Sequence, residues 1–135
     1  MNNDNQLPSV PSDTSFLLYA ADDEKVHVRV LIHGETIWLT QRQMADLFHT
    51  STDNVGLHLK TIYAEEELIE SATTEDFSVV QREGNRNVQR TLKHYNLDAA
   101  IAVGYRVSSR RATQFRIWAN EARNSDFDVA FARRV

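Results

Sequence analysis

A chain of 135 residues, 41% of them hydrophobic, is the size of one compact domain with one modest core. It contains no cysteine, which excludes disulfide frameworks, thiolate nucleophiles and zinc sites built on sulfur. No apolar run approaches the roughly eighteen residues of a membrane span, and the first residues lack a signal-type apolar core, so a soluble cytoplasmic protein with no membrane partner is expected; the net charge of −4 argues against a uniformly basic surface.

Residues 2–14 hold both prolines and many polar side chains and read as a flexible leader. The first ordered element is expected over 16–19. After a polar turn at Asp22, Asp23 and Glu24, the residues Val26, Val28, Val30 and Ile32 alternate with His27, Arg29 and Leu31. That period of two predicts a half-buried strand. His33, Gly34 and Glu35 read as a tight turn before a third short strand over 36–39. The N-terminal third is thus expected to be a small antiparallel sheet.

Thr40 is placed to cap a helix, because its hydroxyl can accept from the amide of Gln43 while the Gln43 side chain reaches back. The capping box predicts a helix over 41–48, with Met44, Leu47 and Phe48 on one face and Ala45 small enough for a second helix to approach. His49 and Thr50 make the turn. Ser51 is a second N-cap, with Asp53 and Asn54 suited to the positive helix end. The second helix is expected to reach Tyr63 and to bury Val55, Leu59 and Ile62. The acidic stretch 65–70 reads equally as a helical extension or a loop.

Residues 77–81 resume an extended pattern, Glu83-Gly84-Asn85-Arg86 offers a turn, and 88–95 alternates again, so a β-hairpin follows the helix pair. Residues 97–103 predict a short apolar helix with Gly104 as its C-cap. Ser108 or Ser109 begins another helix that buries Phe115 and Trp118. The expected fold class is α+β: a small N-terminal antiparallel sheet, a helix-turn-helix, a β-hairpin wing and C-terminal helices. The domain is expected over 15–120, with 121–135 as a tail.

Two short helices, the first carrying Ala45 and the second Val55 ten positions later, match helix-turn-helix spacing, although His49 stands where glycine is common. At ~100° per residue, Asp53, Asn54, Leu57, Lys60 and Thr61 fall opposite the core face. Asn54 suits bidentate pairing with adenine, Leu57 a thymine methyl, and Lys60 or Thr61 a phosphate. The positive charge lies further on. Residues 77–120 hold eight Lys and Arg against only Glu83 and Asp98, whereas 1–40 and 41–76 are each acidic. Within that basic stretch Arg82, Arg86, Arg90 and Lys93 flank the hairpin turn, and Arg110 and Arg111 flank a helix start. Double-stranded DNA is the partner this segregation suggests. The plainer alternative is that the hairpin cations balance the acidic residues 65–76 within the fold.

The five histidines show no HxH or HExxH spacing, so no metal site is expected. No P-loop, dinucleotide fingerprint or Ser/His/Asp arrangement calls for a cofactor or an enzyme.

Trp38-Leu39-Thr40-Gln41, Met44-Ala45-Asp46-Leu47-Phe48, His58-Leu59-Lys60, the run from Tyr95 to Val107 (YNLDAAIAVGYRV) and the run from Arg111 to Ala119 (RATQFRIWA) resemble the N-terminal region of the RhuM virulence-protein family. The resemblance covers roughly residues 26–119. It implies a bacterial, often mobile-element-associated protein with a DNA-binding N-terminus, in a family whose members typically extend further; the stretch 121–135 departs from that pattern and suggests a shortened member. The sequence therefore points to a DNA-binding regulator. The alternative is a protein-interaction module, in which exposed Leu57 and the helix pair bind a partner or form a homodimer.

Overall fold

The computed structural model describes residues 15–20 and 27–123, with side chains described over 30–121. The expected leader, the turn at Asp22 to Glu24 and most of the expected tail lie outside the described residues. The elements run β1 (Ser15–Ala20), β2 (His27–His33), β3 (Thr36–Leu39), α1 (Gln41–Phe48), α2 (Thr52–Ala64), α3 (Glu70–Thr73), β4 (Thr74–Glu83), β5 (Arg86–Asn96), α4 (Leu97–Arg106) and α5 (Arg110–Arg123). This is the α+β arrangement expected, with helices at the C-terminal end. The hairpin is part of the same sheet as the N-terminal strands.

That sheet is antiparallel in the order β1-β2-β3-β5-β4. The chain leaves it after β3, forms three helices, and returns when β5 pairs with β3 through Trp38↔Asn96 and Leu39↔Tyr95. The β2–β3 and β4–β5 turns each hold two residues, and the backbone explains the glycines. Gly34 and Glu35 both have positive φ (65° and 67°), as a type I′ turn demands, and Gly84 takes φ 63° at the first loop position of the β4–β5 turn.

Strand alternation gives the sheet two apolar faces. Val30, Ile37, Leu39 and Tyr95 belong to the main core with the helices. On the other face the sequence pattern is corrected. Leu31, expected outside, is buried, because its register partner Trp38 packs edge-on against Phe77 at 5.5 Å between ring centroids. Phe77 in turn meets His94 at 5.2 Å and His33 at 5.7 Å. The sheet curls around this second cluster.

His94 is 2% exposed in that cluster. Its Nδ1 lies 2.9 Å from the Leu92 carbonyl, an acceptor, which makes Nδ1 the protonated nitrogen. Burial pushes the imidazole pKa below its ordinary value, against the opposing pull of that carbonyl and of Asp76.

The helices start where expected. Thr40 and Gln43 form the full capping box, and the Ser51 hydroxyl accepts from the Asn54 amide. Between α1 and α2 the chain turns in three residues: His49 takes the left-handed conformation (φ 58°) and the Thr50 amide donates back to the Ala45 carbonyl at 3.0 Å. Ala45 and Val55 are both buried, as the spacing predicts. The acidic stretch resolves into a turn with Glu66 at φ 59°, followed by the single turn of α3.

Gly104 is not a C-cap. Helix α4 continues through Arg106, and its capping bond runs from the Val107 amide to the Val103 carbonyl. The glycine is buried instead, and a Cβ there would sit 3.6 Å from the Phe48 ring. A glycine acts as a C-cap through a left-handed backbone, and Gly104 has none, since the positive-φ glycines are Gly34 and Gly84. Helix α5 also runs three residues past the expected end of the domain.

Two stability effects follow from these positions. His49→Gly removes the left-handed cost of a Cβ and should raise unfolding free energy by about 1 kcal/mol, read as a higher urea midpoint at unchanged m. His94 binds a proton more readily in the unfolded chain than in the folded one. Stability is therefore full above the unfolded value of about 6.5 and declines as pH falls below it. The melting temperature should drop between pH 7.5 and 5.5, and His94→Leu should flatten that slope.

Candidate nucleic-acid interface

The predicted site residues fall into three groups. The first is the outer face of α2. Leu57 is 61% exposed and Lys60 is exposed. Asn54 and Thr61, expected on the outer face, are half-buried and already bonded: the Asn54 Nδ2 donates to the Thr50 hydroxyl at 2.9 Å, and the Thr61 hydroxyl donates to the Leu57 carbonyl at 3.1 Å. Asn54 thus has its Oδ1 left for another group while its amine is spent on the turn. The α1–α2 arrangement is itself fastened by Gln41, whose Nε2 donates to the Thr52 carbonyl at 2.7 Å. It crosses where Gly56 has no side chain, and a Cβ there would meet it at 2.7 Å.

The second group is the β4–β5 hairpin. Ten register pairs from Thr74↔Tyr95 to Glu83↔Arg86 carry its tip about 30 Å from its base. Alternation separates the four cations, with Arg82 and Lys93 on the face that bears Tyr95 and Arg86 and Arg90 on the other. They also differ in what they already hold. Arg90 makes a two-pronged bond to Glu83 at 2.9 and 2.8 Å, which lowers the Glu83 pKa and raises that of Arg90. Lys93 pairs with Glu70, whose hydrogen bond raises the ammonium pKa. Arg82 bonds only the Gly84 carbonyl of its own turn, at 3.2 Å, and Arg86 is exposed with no carboxylate partner among the described residues.

Lys60 links the first two groups. It shares a hollow of about 320 Å³ with Gln41, Gly56, Tyr63, Tyr95 and the Glu70 that Lys93 holds. Burial raises the pKa of both tyrosines, and the Tyr63 hydroxyl sits 2.9 Å from that of Thr73.

The third group is the start of α5, where Arg110 is exposed and Arg111 half-buried. Ser109 caps this helix: its hydroxyl accepts from the Ala112 amide at 3.1 Å and donates to the Phe48 carbonyl at 2.7 Å. That second bond sets the arginines beside the end of α1. It brings them near the turn that precedes α2, a juxtaposition of positions 61 apart that no spacing reveals.

Of the hairpin cations, the intramolecular alternative holds for Lys93, and Arg106 of α4 joins it. Lys93 answers Glu70, and Arg106 answers Glu67 at 2.6 Å and Glu65 at 3.6 Å. All three acceptors belong to the acidic segment.

The model of the virulence protein RhuM family matches residues 72–129. The matched segment takes in the hairpin, α4 and α5, hence the whole basic stretch and the runs of residues 95–107 and 111–119 that resemble RhuM most fully. The α1–α2 pair lies before it. The family description suggests a virulence-associated protein. No curated protein and no solved structure matches the chain. No helix among the described residues is long and apolar enough to cross a membrane, and they contain no group of three or more His, Cys, Asp or Glu able to hold a metal ion.

The division between bonded and open guanidinium groups is directly measurable. Limited phenylglyoxal treatment followed by peptide mapping should modify Arg82, Arg86 and Arg110 several-fold faster than Arg90 and Arg106. Equal rates would place the ion pairs elsewhere.

Proposed function

We propose that the protein is a DNA-binding module that acts as a cytoplasmic regulator of a virulence or mobile-element locus, reading duplex DNA as a winged helix-turn-helix. The observation that carries this reading is a charge left over after the internal pairs are counted. Arg82 and Arg86 at the hairpin tip and Arg110 at the α5 start have no carboxylate partner among the described residues, and the two-helix unit of the same fold exposes Leu57 and Lys60 on its second helix. The strand-helix-helix-hairpin order supports it, since β3 and the hairpin share a sheet as a strand and wing do.

In this reading α2 enters the major groove, where the free Oδ1 of Asn54 accepts from a base amino group and Leu57 meets a thymine methyl. Arg82 and Arg86, on opposite faces of the hairpin, straddle the backbone or a narrow minor groove. Arg90 and Lys93 set the hairpin's shape more than its charge. The acidic character of the α1–α2 segment is tolerable because the arginines supply the affinity and α2 the choice of sequence.

Fluorescence anisotropy with mixed duplexes at two salt concentrations tests it. Binding should be present at low salt and weaken steeply as salt rises. Arg86→Ala should weaken all duplexes alike and lower the salt slope by about 1, whereas Asn54→Ala should shift sequence preference. No binding at low salt would leave the second reading, a homodimer or partner contact through Leu57, to be sought by sedimentation of wild type and Leu57→Ser.

A further inference from the structure

Between the end of α4 and the start of α5 lies a hollow of about 500 Å³ lined chiefly by Tyr105, Arg106, Ser108, Arg110, Thr113 and Arg116, with no carboxylate among its lining residues. Three guanidinium groups around one space repel one another unless something negative enters it. Their internal compensation is uneven. Arg106 is paired with Glu67 and Glu65, neither of which lines the hollow. Among the described residues Arg116 is held by neutral partners: it donates to the Gly104 carbonyl at 2.7 Å and the Thr113 hydroxyl at 3.2 Å, and its guanidinium carbon lies 4.7 Å from the centre of the Tyr105 ring. Those contacts fix the plane of the group without neutralising it.

Arg110 completes the lining with no carboxylate partner among the described residues. The first turn of α5 contains no acidic residue and begins with two arginines, the reverse of the charge that steadies a helix start. A chain selected only for stability has no reason to keep that arrangement.

We propose that this hollow binds a phosphate group, and that on duplex DNA it takes a backbone phosphate beside the start of α2. Guanidinium forks arriving from separate elements suit a tetrahedral oxyanion with acceptors on every side better than a planar carboxylate, which one fork satisfies. The Ser108 and Thr113 hydroxyls add donors of the same kind. The DNA half of the proposal rests on the reading above. It draws on the Ser109–Phe48 bond, which ties the rim of the hollow to the end of α1, three residues before the α2 N-cap.

The test separates the two halves. The full chain, labelled with ¹⁵N, is titrated with inorganic phosphate against chloride at matched ionic strength while the arginine side-chain resonances are followed. Saturable shifts at Arg110 and Arg116 are expected, about tenfold weaker binding in Arg110→Gln, and a loss in Arg116→Lys that keeps the charge but removes the fork. Shifts that never saturate, or that are equal in wild type and Arg110→Gln, overturn the site. In parallel, duplex affinity of Arg110→Gln should fall roughly tenfold, with a salt slope smaller by about 1. Saturable phosphate binding with unchanged duplex affinity overturns the DNA half and assigns the hollow to a free phosphorylated ligand. Phosphate binding in a chain that binds no duplex upholds the hollow and defeats the DNA reading alone.

Discussion

Phe48 is the side chain on which the helical half of the molecule closes. It is fully buried at the end of α1, its ring meets Phe115 of α5 at 5.2 Å in an edge contact, and Gly104 of α4 lies beside it. Its carbonyl, left without a helical donor at the α1 terminus, takes the hydroxyl of Ser109. One residue thereby fixes the last turn of α1, the glycine face of α4 and the first turn of α5. The direction in which α2 departs depends on it too, because only three residues separate Phe48 from α2.

The same closure organises the charge. A segment rich in carboxylates and a segment rich in cations follow one another in the chain, and the fold lays part of one against part of the other. Lys93 and Arg106 are consumed by Glu70, Glu65 and Glu67, and Arg90 by Glu83 within the hairpin. Exposed pairs of this kind are individually weak and screened by salt. Among the described residues of the basic stretch, Arg82 and Arg86 at the hairpin tip and Arg110 and Arg116 around the α4–α5 hollow are left without a carboxylate partner.

Much of the local structure is legible because it depends on neighbours in sequence. The capping box of Thr40 and Gln43, the Ser51 cap and the turn at Gly84 are each decided within four residues, and each forms as expected. Leu31 and Gly104 mislead for the opposite reason. Leu31 sits on a polar-looking strand face yet is buried where the sheet curls over Trp38 and Phe77, and the glycine that looks like a helix stop lies inside α4 against another helix. The side-chain bonds of Asn54 and Thr61 are local, yet alternation and helical projection do not register them, since those patterns track burial and not hydrogen bonding.

By itself the sequence determined most of the elements, the N-caps of α1 and α2, the hairpin turns, the α+β class and the segregation of positive charge into residues 77–120, because all of these rest on periodicity and on contacts a few residues apart. Only the tertiary structure decided which cations stay unmatched, since an ion pair such as Arg106–Glu67 needs a fold to bring its ends together. It also decided that Arg106, Arg110 and Arg116 surround one hollow, and that this hollow stands beside the turn into α2. Coulomb energy depends on distance in space, and the chain specifies that distance only after its core has closed.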